Sequence, residues 1–188
     1  MFIQTEATPN PATLKFLPGR TVLASGTLDM RDAQSATQSP LAEHLFAIPG
    51  VAGVFLGSDF VAVTKAGGEW QQLKPAILGA MMEHFMSEEP ITRTEQSGGP
   101  AADEEFFSPE DSETVATIKE LIEDRVRPAV ANDGGDITFR GYKDGIVYLD
   151  MKGACSGCPS STATLRHGIQ NLLRHYLPDV VEVRPMGQ

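Results

Sequence analysis

From residue 87 to residue 110 the sequence loses the apolar rhythm that builds a core, and this interruption limits the available folds more than any motif does. It reads Ser87-Glu88-Glu89-Pro90 and then Thr94-Glu95-Gln96-Ser97-Gly98-Gly99-Pro100-Ala101-Ala102-Asp103-Glu104-Glu105, with few apolar anchors and many breakers. Seven acids against one base put −6 of the chain's formal −10 in this stretch. A flexible acidic linker is expected over 87–110. The 188 residues then form two small domains, 1–86 and 111–188. Phe106-Phe107, at the linker's end, is expected to pack onto the helix that follows.

In the first domain, Phe2-Ile3-Gln4-Thr5 and Leu14-Lys15-Phe16-Leu17 are strand candidates on either side of Pro9-Asn10-Pro11, which forces an extended or turning backbone. Val22-Leu23 is a further strand candidate, and Asp29 to Ser39 carries weak signals. Ser39-Pro40 places an N-cap serine and an N1 proline before apolar residues 41, 45 and 48, which predicts a short helix. Val51–Leu56 and Phe60–Thr64 read as a hairpin around Gly57-Ser58-Asp59. Apolar residues at 70, 73, 77, 78, 81, 82 and 85 predict a helix from Trp70 to Met86, with Pro75 tolerated near its start. His44 and His84 are expected on the core face or its rim, not as ligands.

The second domain is expected to run helix, strand, strand, helix, strand, so both domains are α+β. Ser112 caps a helix with Val115, Ile118, Leu121, Ile122 and Val126 on one face, which Pro128 kinks or ends. Asp133-Gly134-Gly135-Asp136 is a turn, Asp144-Gly145 a two-residue hairpin loop, and Val180–Val183 the last strand. Pro159 opens a helix striped by Leu165, Ile169, Leu172, Leu173 and Tyr176.

Both cysteines fall in one run between hairpin and helix, Gly153-Ala154-Cys155-Ser156-Gly157-Cys158-Pro159-Ser160-Ser161. The loop they span is too small for a disulfide to stabilise the fold much. With Pro159 at the first helical position, Cys158 is expected at the N-cap, where free N–H groups and the helix dipole favour thiolates. His167 and His175 are too far along the helix to join them and read as surface residues. Two thiolates are half of what a Zn(Cys)4 site or a [4Fe–4S] cluster needs, so a closed site requires a second copy of the chain. A thioredoxin-like thiol–disulfide oxidoreductase is the alternative, although the pair follows a hairpin instead of sitting in a βαβ unit.

The run Gly153–Ser161, followed by Thr164-Leu165, Gly168-Ile169 and Pro178-Asp179-Val180 and preceded by Arg127-Pro128 and Asp133-Gly134-Gly135-Asp136, resembles the NifU C-terminal domain. Thr8-Pro9-Asn10-Pro11 through Leu14-Lys15-Phe16 and Gly19 resembles the N-terminal domain of Nfu-type iron–sulfur carriers. Arg166 and Gln170 depart from the Lys and Glu of that pattern. The resemblance implies that Cys155 and Cys158 of two subunits bind one shared [4Fe–4S] cluster. It further implies supply from upstream iron–sulfur scaffold proteins, delivery to apo-proteins that need [4Fe–4S], client selection by the N-terminal domain, and no enzymatic activity or catalytic residue.

The acidic charge opposes nucleic-acid and anionic-membrane partners, and no apolar run approaches the about 20 residues of a membrane span. Met1–Glu6 lacks a basic or amphipathic leader. A bacterial-type cytoplasmic chain is therefore expected, with a mitochondrial matrix form trimmed of its transit peptide as the alternative.

Overall fold

The computed structural model describes residues 2–93, 105–156 and 159–186, with only the backbone at 159–161. The chain divides into two compact units, Met1–Gly99 and Pro100–Gln188, and both are α+β.

In the first unit, β1 (Gln4–Ala7), β2 (Thr13–Leu17), β3 (Leu28–Met30), β4 (Val51–Leu56) and β5 (Val61–Lys65) form an antiparallel sheet in the order β1-β2-β5-β4-β3. Alternate residues of the strands, Val54 and Leu56, Val61 and Val63, join Phe16 in one core. The stripes of α1 (Pro40–Phe46) and α2 (Trp70–Met86) close it with Leu41, Leu45, Leu73, Ile77 and Met81. Ser39 caps α1 as expected: its Oγ accepts from the Ala42 N–H at 3.2 Å and donates to the Ile91 carbonyl at 2.6 Å. Pro75 sits in the second turn of α2, and the helix continues through it.

One expectation fails here. Val22 and Leu23 form no strand; both N–H groups donate to the Ser58 carbonyl, at 2.7 and 3.2 Å, and both side chains are buried. The third strand lies instead at Leu28–Met30, paired with β4 through Leu28↔Leu56 and Met30↔Val54. Three residues on a sheet edge are too short for alternation to show in the sequence.

The expected linker is anchored at both ends within its own units. On one side, the Arg93 N–H donates to the Gln38 carbonyl at 2.9 Å and its guanidinium grips both Glu43 oxygens at 3.0 and 2.5 Å. On the other, Lys119 pairs with Glu105, and Phe106 forms a parallel bridge with Gly141. Its middle, 94–104, lies outside the described residues. Phe106 rests on the sheet: its ring covers Gly141 and lies 5.0 Å from that of Tyr148. The side chain that glycine lacks makes the room.

The second unit follows the expected order. Helix α3 (Ser112–Leu121) passes through a π-helical turn, Ile122–Val126, into α4 (Arg127–Asn132). Pro128 therefore does not end the helical path; the widened turn accommodates the missing N–H and the ring. Strands β6 (Gly135–Lys143) and β7 (Ile146–Gly153) form a hairpin whose loop residues Asp144 and Gly145 have φ of 53° and 78°, the left-handed pair of a type I′ turn. Strand β8 (Glu182–Pro185) pairs with β7 in parallel, which requires a crossover, and α5 (Pro159–Tyr176) supplies it. The carboxyl end of β7 thus meets the start of α5, and the cysteine run lies at that junction. Gln170 accepts the Val183 N–H at 3.2 Å and ties α5 to β8, more than a surface position would do.

Candidate functional site

Gly153 leaves β7 with a left-handed φ of 67°, and the Ser156 N–H and Oγ both return to its carbonyl, at 3.1 and 2.9 Å. This closes a tight turn around Ala154 and Cys155. Two further bonds hold the turn from either side. The Ala154 N–H donates to the Gly134 carbonyl at 3.1 Å, and the Thr162 hydroxyl, on the first turn of α5, donates to the Cys155 carbonyl at 2.9 Å.

Cys155 is a free thiol, 6% exposed, and belongs to the core cluster with Met151, Ile169 and Leu173. Its Sγ lies over Gly135, where a β-carbon would stand 2.7 Å from the sulfur and 2.7 Å from the Lys152 carbonyl oxygen. Gly135 is there for space and not for backbone freedom. Immediately beside it, buried Asp136 receives Arg127 through both oxygens, Nε at 3.0 Å and Nη2 at 3.2 Å, and accepts the Ile137 N–H at 2.8 Å. Arg127 also holds Glu123 at 2.7 Å. Burial works against the arginine's charge, but its hydrogen bonds to Asp136 and Glu123 outweigh that and raise its pKa above the ordinary value. The pair clamps the start of α4 to the start of β6, beneath the cysteine turn.

The thiol itself behaves contrary to expectation. Burial pushes the Cys155 pKa up to about 12, and the carboxylates of Asp133 and Asp136 push in the same direction. The helix start does not rescue it, because Sγ packs into the core. A neutral, sheltered thiol is a poor nucleophile, which weighs against the oxidoreductase alternative. It is not a barrier to ligation, since a metal deprotonates a thiol that coordinates it.

Cys158, the second expected ligand and N-cap, lies outside the described residues. His167 and His175 are exposed, as expected. The structure brings Gly135, Asp136, Arg127 and Thr162 around Cys155. The first three lay in sequence runs already singled out, without a role. Thr162 was missed; the Ser-Ser-Thr run after Pro159 was its signal, because hydroxyls in a first helical turn reach nearby backbone groups.

Residues 3–88 match the family described as scaffold protein Nfu/NifU N terminal, and residues 118–184 match the NifU-like domain. NifU-like protein 4, mitochondrial, of Arabidopsis thaliana is 51% identical over 183 residues, 96% of this chain and 64% of that protein. The human NFU1 iron-sulfur cluster scaffold homolog, mitochondrial, is 49% identical over 182 residues, 96% of this chain and 70% of that protein. The chain thus spans roughly two thirds of the length of these relatives. A solved NifU-like protein from Saccharomyces cerevisiae, 26% identical, covers 50% of this chain and 87% of its own with a TM-score of 0.46. The expectation of a bacterial-type cytoplasmic protein is corrected by the names of the two sequence relatives, which are both mitochondrial. No helix among the described residues is long and apolar enough to cross a membrane. On its two matched domains, and on relatives that align with 96% of it at 49–51% identity, the chain belongs to the Nfu/NifU-like family.

Proposed function

We propose that this chain is an iron–sulfur cluster scaffold and carrier that holds one [4Fe–4S] cluster between two copies through Cys155 and Cys158 of each. The observation that carries this is the cysteine inventory: two in the whole sequence, three positions apart, and so half a ligand set. The match to the NifU-like domain, and relatives named as iron–sulfur cluster scaffolds, support the same reading.

The cluster is cargo, and the donor set suits it, since thiolates are the ligands iron–sulfur clusters take. Loading draws Cys155 from its contact with Gly135 and releases its proton. Unloading returns a neutral thiol to the core, where it resists oxidation. A site shared by two chains encloses its cargo less than a single core would, which favours release. Upstream scaffold proteins supply the cluster, apo-proteins that need [4Fe–4S] receive it, and the N-terminal unit selects among those clients. The role is that of a carrier and not an enzyme.

Transfer tests it. Anaerobically loaded chain should activate an apo-enzyme that requires [4Fe–4S], and Cys155→Ser should abolish both loading and activation. Full cluster content and transfer in Cys155→Ser would overturn the ligation; disulfide-reductase turnover without an iron chromophore would favour the oxidoreductase.

A further inference from the structure

The last turns of α1 and α2 meet below the segment that follows α2, and three side chains of metal-ligand type converge there. His44 comes from α1, His84 from α2 and Glu89 from the segment. Their ligating atoms all lie within 4.8 Å of one another, with His84 Nδ1 3.8 Å from Glu89 Oε2 and the two imidazole centroids 5.7 Å apart.

His84 is the independent sign that the cluster has a ligand. It is 1% exposed, and neither ring nitrogen has a hydrogen-bond partner among the described residues. Buried polar side-chain atoms are as a rule paired, and an unpaired one in a folded protein points to a water or an ion. The chain path also serves the cluster. Glu88 takes a left-handed φ of 58°, which turns Glu89 back over the helix end, and the Ser39–Ile91 and Arg93–Glu43 contacts hold the returning segment on α1.

We infer that His44, His84 and Glu89 form a site for one divalent first-row transition cation, Zn2+ or Fe2+, in the N-terminal unit. Two imidazoles and one carboxylate are a donor set that both ions accept, and three protein ligands leave coordination positions open. Bonds near 2.0–2.1 Å bring tetrahedral ligands to about 3.3 Å from one another. His84 is the fixed ligand, and rotation of the exposed His44 and Glu89 side chains supplies the contraction. The site shares no residue with the cysteine turn and does not rest on the cluster-carrier reading.

The test uses the full chain carrying Cys155→Ser and Cys158→Ser, so that thiolates do not compete, and Co2+ as the spectroscopic probe. The expected result is one Co2+ per chain with visible bands of a low-symmetry nitrogen–oxygen site, displaced by Zn2+ and, anaerobically and only in excess, by the more weakly binding Fe2+. His44→Gln and Glu89→Gln change exposed positions and should each weaken binding about tenfold or more. His84→Gln should abolish it if Trp70 fluorescence shows the unit still folded; otherwise the two exposed variants decide. Failure to saturate at one Co2+, or parental affinity in both exposed variants, overturns the site.

Discussion

A single methyl group at Gly135 should loosen the second unit and unseat its cysteine. In Gly135→Ala the new carbon stands 2.7 Å from Cys155 Sγ, 2.7 Å from the Lys152 carbonyl oxygen and 3.2 Å from the Cys155 nitrogen. Carbon contacts are most favourable at about 3.5–4.0 Å, so each neighbour is too close. Two of the three are backbone atoms, the Lys152 carbonyl in the β6–β7 ladder and the Cys155 nitrogen in the turn that follows it, where no rotamer change gives relief. Overpacking a core costs about 1–3 kcal/mol, and with backbone on two sides the upper half of that range, about 2–3 kcal/mol, is expected. For a unit of this size that is a fall in Tm of roughly 10–20 °C. All three tyrosines lie in the second unit and Trp70 in the first, so near-ultraviolet tyrosine dichroism and tryptophan fluorescence follow the two transitions separately. In a Cys158→Ser background, alkylation of Cys155 should also speed up as its sulfur is pushed out of the core. A tyrosine transition within about 0.5 kcal/mol of the parent, with unchanged alkylation, would refute the packing argument.

Gly141→Ala should be milder, at about 1 kcal/mol or less, because the atoms nearest its new carbon, at 2.5 Å, belong to the ring of Phe106, which is 38% exposed and free to swing away; urea unfolding of the two variants side by side checks the contrast. Arg127→Met takes the guanidinium away from the buried Asp136 carboxylate and should destabilise the second unit by about 2–3 kcal/mol, below the figure for a fully buried pair because the arginine is partly exposed. Ser39→Ala removes both the α1 cap and the Ile91 partner and should cost about 1–2 kcal/mol, read by Trp70 fluorescence. The Arg93 hydrogen bond holds the Glu43 carboxyl below its ordinary pKa, so the stability this pair adds is present above the unfolded pKa and is lost as pH falls through the folded one. Arg93→Gln should raise the Glu43 midpoint in an NMR titration.

What the sequence discloses follows from the range of the interactions involved. The Ser39-Pro40 cap, the Asp144-Gly145 turn and the stripe of α5 from Leu165 to Leu173 are set by neighbours a few residues apart, and each stands where its local pattern puts it, whereas Tyr176 at the end of that stripe is exposed. Strand β3 and the course of Val22-Leu23 depend on partners far along the chain, Val54–Leu56 and Ser58, and carry little local signal. The cysteine turn shows the same division. Its place between β7 and α5 was legible, but the state of Cys155 was not, because the helix start that should favour a thiolate is overruled by packing against Gly135, 20 positions earlier in the sequence. The pairing of His44 with His84 was hidden likewise, since it arises only where two helices meet.

Iron and sulfide content of anaerobically loaded protein, taken with its mass by sedimentation, tests the shared site most directly. The account predicts about four iron and four sulfide per two chains, in a dimer that falls apart when the cluster is removed and does not form in Cys155→Ser. A loaded monomer with a full cluster of its own would contradict it.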